Sequence, residues 1–400
     1  MTILIADSFS EAGQEAFGEA GHAVVFEPSL KGGALSSALA EHEPDVLIVR
    51  STMVTAEDLD SSPDLELIVR AGAGYDTIDV EGASRRGIFV ANCPGKNAAA
   101  VAELAFGLIL SLDRRIPDNV SEAREGRWNK GVFTKAAGVK GRTLGLIGMG
   151  NIGREMAVRA RAFGMHVIAW SRSLTDETAA ELGIRRELNP VDVASEADVI
   201  SVHVAAAAET QGLIGEEFVG AMRPGTLLIN TARASVMDEA AVAKAMDEKG
   251  IRVATDVPAD EPAGKDGEWV HPLAGHSNFY ITHHIGASTE QASMAIGDEA
   301  VRVVLTYADS GHVENCVNLA VHSPATHLLT VRHLDKVGVL AGVLDVVREA
   351  NWNVQEMENL IFAGAEAACA RIRFDGRPDH NTLGRIEAIP DVLNATVIQL

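Results

Sequence analysis

Thr143-Leu144-Gly145-Leu146-Ile147-Gly148-Met149-Gly150-Asn151-Ile152-Gly153 is the stretch whose reading decides the fold. Thr143–Ile147 reads as a short buried strand, and the residues after the glycines have helical character. Each glycine then has its own task. Gly148 makes the tight turn, Gly150 lets the backbone approach a pyrophosphate, and Gly153 lets helix and strand pack closely. The helix opening at the loop aims its free N–H groups at the phosphates. The spacing alone is weak evidence; in a strand–loop–helix context it favours dinucleotide binding over a merely tight turn. A carboxylate for the ribose is expected at the end of the next strand. The sequence has Trp170-Ser171-Arg172-Ser173 instead. Ser171 and Arg172 suit a 2′-phosphate, which favours NADP(H) over NAD(H). The alternative is that Arg172 stacks on the adenine or stays in solvent and NAD(H) is used.

Downstream, apolar runs at Met165–Trp170, Ala197–Val204, Thr226–Thr231, Ile251–Asp256 and Phe279–Thr282 alternate with helical segments. Such near-continuous apolar strands imply a parallel sheet covered on both faces. Upstream, Ile3–Ala6, Ala23–Phe26, Val46–Val49, Leu65–Val69 and Ile88–Val90 predict a second sheet of the same kind. An Ala-rich helix, about Asn97 to Arg115, links the two, and 288–308 is helical again. The last stretch, about 325–400, reads strand, helix, strand, strand, helix, strand, for which a ferredoxin-like α+β module is the simplest fold.

The chain has 400 residues, 47% of them apolar, and a formal charge of -22. So acidic a surface makes nucleic acid and anionic membrane poor partners, and an anionic ligand needs a local cluster of Arg or Lys. Cys93, Cys316 and Cys369 are scattered, with no CxxC pair. Neither a disulfide framework nor a metal site is called for, and a cytoplasmic setting fits. The N-terminus reads as a strand rather than a signal peptide.

A dehydrogenase acting on a small 2-oxo or 2-hydroxy acid needs a cation for the carboxylate and carbonyl, a general acid, and often a carboxylate beside that acid. Three residues just beyond strand ends supply these types: Arg233, Glu261 and His284.

Here the chain resembles a known family. Val69-Arg70-Ala71-Gly72-Ala73-Gly74, the glycine loop, Asn230-Thr231-Ala232-Arg233, Asp256-Val257 with Glu261-Pro262, and His284-Ile285-Gly286-Ala287-Ser288-Thr289 run in the order of the D-2-hydroxyacid dehydrogenase superfamily. They are most similar to its branch acting on 3-phosphoglycerate, and the resemblance covers about 1–318. It implies a flavodoxin-like substrate domain (1–95 with 285–315) and a Rossmann cofactor domain (96–284), both doubly wound α/β. Arg233 would bind the acid's carboxylate and carbonyl, His284 would exchange the proton, and Glu261 would favour the charged imidazole. Beside Gly148, Gly150 and Gly153, the cofactor contacts would be Asn151, Ile152, Ser171, Arg172, Val204, Ala232 and Asp256. Arg50, Arg70, Ala71 and Gly72 match substrate positions, as does Lys130, reached from a neighbouring subunit. Two strand-end arginines suit a second anionic group on the acid; the alternative is structural ion pairing. Residues 322–400 resemble an ACT domain, with His333, Asp335 and Asn353 at the positions for an amino-acid effector. The implied assembly is a homodimer or homotetramer.

The sequence departs from the family at His283 (usually Pro), at Ala234 and Ser235 (usually Gly), at Pro258 (often Phe), and at Val204-Ala205-Ala206, where a proline is missing. The implied reaction is NAD(P)-dependent oxidation of 3-phosphoglycerate, a step toward serine. NADPH-dependent reduction of glyoxylate or hydroxypyruvate, and a non-catalytic cofactor-sensing scaffold, are the other readings.

Overall fold

Five short strands, β1 (Thr2–Ile5), β2 (Ala23–Phe26), β3 (Val46–Val49), β4 (Leu67–Arg70) and β5 (Phe89–Asn92), pair in parallel in the order β2-β1-β3-β4-β5. The computed structural model describes residues 1–30, 32–262 and 267–400, in two units, Met1–Asn318 and Leu319–Leu400. Seven more parallel strands form the second sheet of the first unit: β6 (Thr143–Ile147), β7 (His166–Trp170), β8 (Arg185–Arg186), β9 (Val199–Val202), β10 (Leu227–Asn230), β11 (Arg252–Thr255) and β12 (Phe279–Ile281). Their order is β12-β11-β10-β9-β6-β7-β8. Both sheets are of the Rossmann-like α/β kind. In the second, the order reverses at β6, so the crevice for a ligand opens where the glycine loop leaves β6.

Both faces of the second sheet are covered. On one, Ala102, Ala105 and Ile109 of helix Ala98–Arg114 and Met156 and Ala160 of helix Asn151–Ala162 pack on Leu144 and Leu146. On the other, Val193, Phe218, Val242 and Met246 pack on Ile147, Ile200 and Leu228. Burial on both faces is why these strands carry no polar alternation. The edge strand β8 is two arginines long and had no apolar signal in the sequence. Expected strand limits also shift: β4 and β5 end at Arg70 and Asn92, beyond the apolar runs, because polar side chains close the carboxyl ends.

Helix Glu290–Ser310 returns the chain to the first sheet, where Ile296, Ala300, Val303 and Val304 pack against Ile3, Ile5, Ile48 and Val69. Its buried Glu299 accepts hydrogen bonds from Arg302 Nη2 (2.7 Å) and Asn315 Nδ2 (2.7 Å), and lies 3.2 Å from Lys96 Nζ. The bond from Arg302, aided by Asn315 and Lys96, holds the carboxyl down at about 2 against the opposing effect of burial. A carboxylate depressed on folding contributes stability above its ordinary value, near 4.5 here, and loses that contribution as pH falls through the folded value. Glu299→Gln is therefore expected to cost ~2–3 kcal/mol at pH 7. Urea melts across pH should show the gap from wild type closing between pH 4.5 and about 2.

The second unit has the expected element order. Strands β13 (His327–Leu334), β14 (Asn353–Ile361), β15 (Ala367–Asp375) and β16 (Val392–Gln399) form an antiparallel sheet ordered β14-β15-β13-β16. Helices Val339–Glu349 and His380–Glu387 supply Val343, Val347 and Ile386 to a core with Leu329, Trp352, Ile372 and Phe374. Cys93, Cys316 and Cys369 are free thiols. Among the described residues, no helix is long and apolar enough to cross a membrane.

Candidate active site

The glycine loop carries its three tasks in the backbone. Gly148 has φ +105°, a left-handed conformation, and a Cβ there would lie 2.6 Å from the His203 carbonyl oxygen at the end of β9. A Cβ on Gly153 would collide with the Gly148 carbonyl oxygen and touch Met149 Sδ. A Cβ on Gly150 would meet nothing within 4 Å, so the loop leaves open space at that glycine alone of the three. Gly150 also caps helix Asn151–Ala162 with no side-chain bond to its first N–H groups. An open cradle beside unpaired helix N–H donors fits a pyrophosphate. Ile152 is half-buried against the core and Asn151 is exposed. Nearby, Val204 is half-buried and Ala232 buried, both against the core behind β9 and β10. Ser171 is half-buried; Arg172 is exposed, with Glu209 Oε2 3.9 Å from its Nη1. His203 sits beneath this region, its ring 2.8 Å from Ser201 Oγ and 3.4 Å from Thr231 Oγ1. Burial pushes its imidazole down to about 3, which favours the neutral ring.

His284 and Glu261 come together from separate loops: His284 Nδ1 lies 2.7 Å from Glu261 Oε2. A carboxylate only accepts, so Nδ1 carries the proton and Nε2 is left free to exchange one. The backbone at His284 is left-handed, φ 51°. Such a conformation persists where its surroundings over-determine it, and Asp256 does that. The Asp256 carboxylate, buried beyond β11, accepts from Thr282 Oγ1 (2.6 Å), Ile285 N (2.9 Å) and Gly286 N (2.8 Å), bracketing His284 on both sides. Three of its roughly four acceptor positions are committed to the His284 loop, so it holds that loop in place. Glu261 is steadied in turn: Trp269 Nε1 donates to the Asp260 carbonyl (3.0 Å) and Ala259 N to Glu239 Oε1 (3.3 Å).

Arg70, Arg50 and Arg233 form a cationic cluster at the carboxyl ends of β4, β3 and β10. Arg70 is lowered from its ordinary value first by burial and then by the positive charges of Arg233 and Arg50. Its Nε is buried with no hydrogen-bond partner among the described residues. Arg50 reaches Ser293 Oγ at 3.5 Å. Its backbone is fixed by Asp7, whose carboxylate accepts from Arg50 N (2.7 Å), Ser51 N (2.9 Å) and Thr52 N (2.9 Å). Burial alone would raise the Asp7 carboxyl, but these bonds outweigh it and hold it low. Ala71 is buried in the core of the first sheet, whereas Gly72 lies under the cluster: a Cβ there would fall inside the Arg70 guanidinium. Arg233 is gripped by Asp76, whose carboxyl its hydrogen bonds hold below the usual range.

Not every expected residue joins a site. Lys130 is exposed on the short helix Lys130–Phe133 and is not among the main charges acting on Arg70. In the second unit, His333 is buried, with Nδ1 donating to the Leu334 carbonyl (2.7 Å) and Nε2 beside Asn359 Oδ1 (3.3 Å). Asp335 is exposed near it. Asn353 is not: it pairs with Asp375, whereas His333 pairs with Ala368 at the other end of the same strand. The antiparallel register of β14 therefore keeps the three proposed effector positions apart within one chain. Asp7, Asp76, Ser293 and Glu239 went unread in the sequence. Asp7 and Asp76 had a signal, each lying just past a strand-end segment, but isolated carboxylates in an acidic chain do not stand out.

Residues 106–286 match the family model described as the NAD binding domain of D-isomer specific 2-hydroxyacid dehydrogenases. The chain is 36% identical over 318 residues to a D-3-phosphoglycerate dehydrogenase of Mycobacterium tuberculosis, covering 78% of this chain and 58% of that one. It thus spans little more than half the length of that relative. It is 40% identical over 265 residues to a hydroxypyruvate reductase of Thermotoga maritima, covering 66% of this chain and 84% of the other. Among solved structures it is similar to the NAD+-bound 3-phosphoglycerate dehydrogenase of Entamoeba histolytica, with TM-score 0.67 and 28% identity over 80% of this chain and 99% of that one.

Proposed function

The chain belongs to the D-isomer specific 2-hydroxyacid dehydrogenase family, and on that premise we propose that it oxidises 3-phosphoglycerate to 3-phosphohydroxypyruvate with NAD(P), a step toward serine. The observation that carries this reading is the cluster of Arg50, Arg70 and Arg233 in a chain of net charge -22. One guanidinium suffices for a carboxylate; three suit an acid bearing a phosphate as well. The division of labour we propose follows the sheets. Residues 1–95 with 285–315 hold the acid, and 96–284 hold the cofactor.

In this scheme Arg233 binds the carboxylate and the oxygen on C2, while Arg70 and Arg50 take the phosphate. His284 Nε2 accepts the hydroxyl proton during oxidation and returns it during reduction, with Glu261 facing the charged ring. The bound nicotinamide supplies the hydride acceptor or donor. Gly148, Gly150, Asn151, Ile152 and Gly153 would hold its pyrophosphate, with Val204 and Ala232 at the nicotinamide end. At the ribose, Ser171 and Arg172 support NADP(H), while Glu209 beside Arg172 works against a 2′-phosphate and narrows that margin.

The unit Leu319–Leu400 is proposed as an ACT-like regulatory module in a homodimer or homotetramer. With Asn353 apart from His333 and Asp335 in one chain, an amino-acid effector would need two copies. In such an assembly Lys130 would reach the acid of a neighbouring subunit.

The second reading, reduction of hydroxypyruvate or glyoxylate, is supported by the likeness to the Thermotoga maritima reductase. Initial rates with 3-phosphoglycerate and NAD or NADP at alkaline pH, against reduction of hydroxypyruvate and glyoxylate, separate the two. Arg70→Gln is expected to raise KM for 3-phosphohydroxypyruvate about tenfold or more, since the phosphate of the acid loses a buried cationic partner. KM for glyoxylate should move far less. An equal change for both acids would make Arg70 structural.

A further inference from the structure

Arg233 lies at the carboxyl end of β10, and the carboxylate that grips it comes from the other sheet's half of the same unit. Asp76 Oδ2 accepts from Arg233 Nε (3.2 Å) and Asp76 Oδ1 from Nη2 (3.0 Å), while Nη1 donates to the Ala232 carbonyl (2.8 Å). These bonds take three of the five N–H donors of a guanidinium. One N–H remains on each terminal nitrogen, and together they form the end fork of the planar group. That fork matches two oxygens side by side, such as a carboxylate oxygen and a neighbouring carbonyl oxygen.

The surrounding loop is shaped for this grip. A Cβ on Gly74 would fall against Arg233 Nη2 and lie 2.9 Å from Asp76 Oδ1, so only a residue without a side chain fits between them. Arg233 and Arg70 repel each other, Arg50 adds a like charge on Arg70, and Asp76 is the carboxylate beside them that opposes this repulsion. A long arginine side chain with like charges beside it and no partner would swing toward solvent.

We propose that Asp76 is the positioning residue of Arg233: it grips the side edge of the guanidinium so that the end edge faces the acid. This rests on the reading of Arg233 as the acid-binding cation. Asp76 does not touch the acid in this arrangement. It fixes the plane and the angle at which the fork is presented, and tolerances for such a contact are of order 0.5 Å and 10–20°.

A competing role, that of a mere counter-charge, predicts the opposite sign for one variant, and this makes the proposal testable. Oxalate, an acid with two adjacent carboxylates that cannot be reduced by the cofactor, is titrated into the NADH-saturated full chain by calorimetry. Asp76→Asn keeps the shape and removes the charge; Asp76→Glu keeps the charge and displaces it by one methylene. Positioning predicts that both weaken oxalate by about tenfold or more, since small misplacements of a binding group carry large penalties. NADH affinity should be unchanged, and on an Arg233→Gln background neither substitution should have any further effect. A merely structural role would weaken oxalate on that background too. Tighter or unchanged oxalate binding by Asp76→Asn overturns the proposal, as does wild-type protein that does not bind oxalate. Wild type that binds oxalate with the expected dependence on Asp76, yet turns over none of the acids offered, would overturn the reaction proposed above and leave this inference standing.

Discussion

His284→Ala is expected to turn over its acid about 10²–10⁴ times more slowly than wild type, the usual contribution of a positioned general acid/base. The argument rests on geometry. Nδ1 is committed to Glu261 at 2.7 Å, and Nε2 is the ring nitrogen left to exchange a proton. Alanine also removes a residue from a left-handed position, φ 51°, which alanine tolerates poorly. A loss of activity could then come from a distorted loop. His284→Asn separates the two effects, because asparagine enters this region readily and has no group able to exchange the proton. Both variants should lose turnover to a similar extent while binding NADH as wild type does, as single-turnover rates and fluorescence titration would record. If either keeps near-normal turnover, the proton passes elsewhere, and the exposed neighbour His283 is the group to examine.

Gly153→Ala is expected to weaken NADH binding about 100-fold, the scale of loss that follows displacement of a binding group by about 1 Å. Helix propensity alone predicts the contrary, since alanine in place of glycine in a helix gains ~1 kcal/mol. The clash decides the sign. The new methyl would collide with the Gly148 carbonyl oxygen, which is backbone and cannot rotate away as a side chain would. Gly148 is itself closely hemmed in, since even a Cβ there would lie 2.6 Å from the His203 carbonyl oxygen. The loop must move as a unit, carrying the cradle at Gly150 with it. Fluorescence titration with NADH reads the effect directly. Affinity within threefold of wild type would show that the loop has slack the packing does not reveal.

The legible parts of this chain were those with a period or a fixed spacing. The buried strands, the glycine loop and the element order of residues 325–400 could be read because burial on two faces, or a turn before a helix, leaves a local signature. The His284–Glu261 contact was also legible, through a resemblance covering several separated motifs. What stayed hidden depends on contacts between distant segments. Asp76 lies 157 positions from Arg233, and no local pattern links them. Asp256 was named through the family resemblance, but its three bonds to Thr282, Ile285 and Gly286, which brace the His284 loop, had no local signal. Asn353 was grouped with His333 on motif alone, and only the strand register separates them. Charged edge strands such as Arg185–Arg186 have no apolar run to betray them.

The return of helix Glu290–Ser310 to the first sheet bears on how the chain is made. A ribosome delivers β1 to β5 first, yet Ile296, Ala300, Val303 and Val304, which pack on Ile3, Ile48 and Val69, emerge roughly two hundred residues later. At about 5–20 residues per second that is a wait of about 10–40 s. Throughout it, Phe17 of helix Glu11–Glu19 is already on that face of the first sheet, but the apolar surface that the later helix covers stays open. The second sheet is synthesised inside that interval and draws both of its covering layers from its own stretch of chain, beginning with helix Ala98–Arg114. Of the two parallel sheets, the one synthesised first is thus the one completed last, and the growing chain has greatest need of a chaperone before helix Glu290–Ser310 appears.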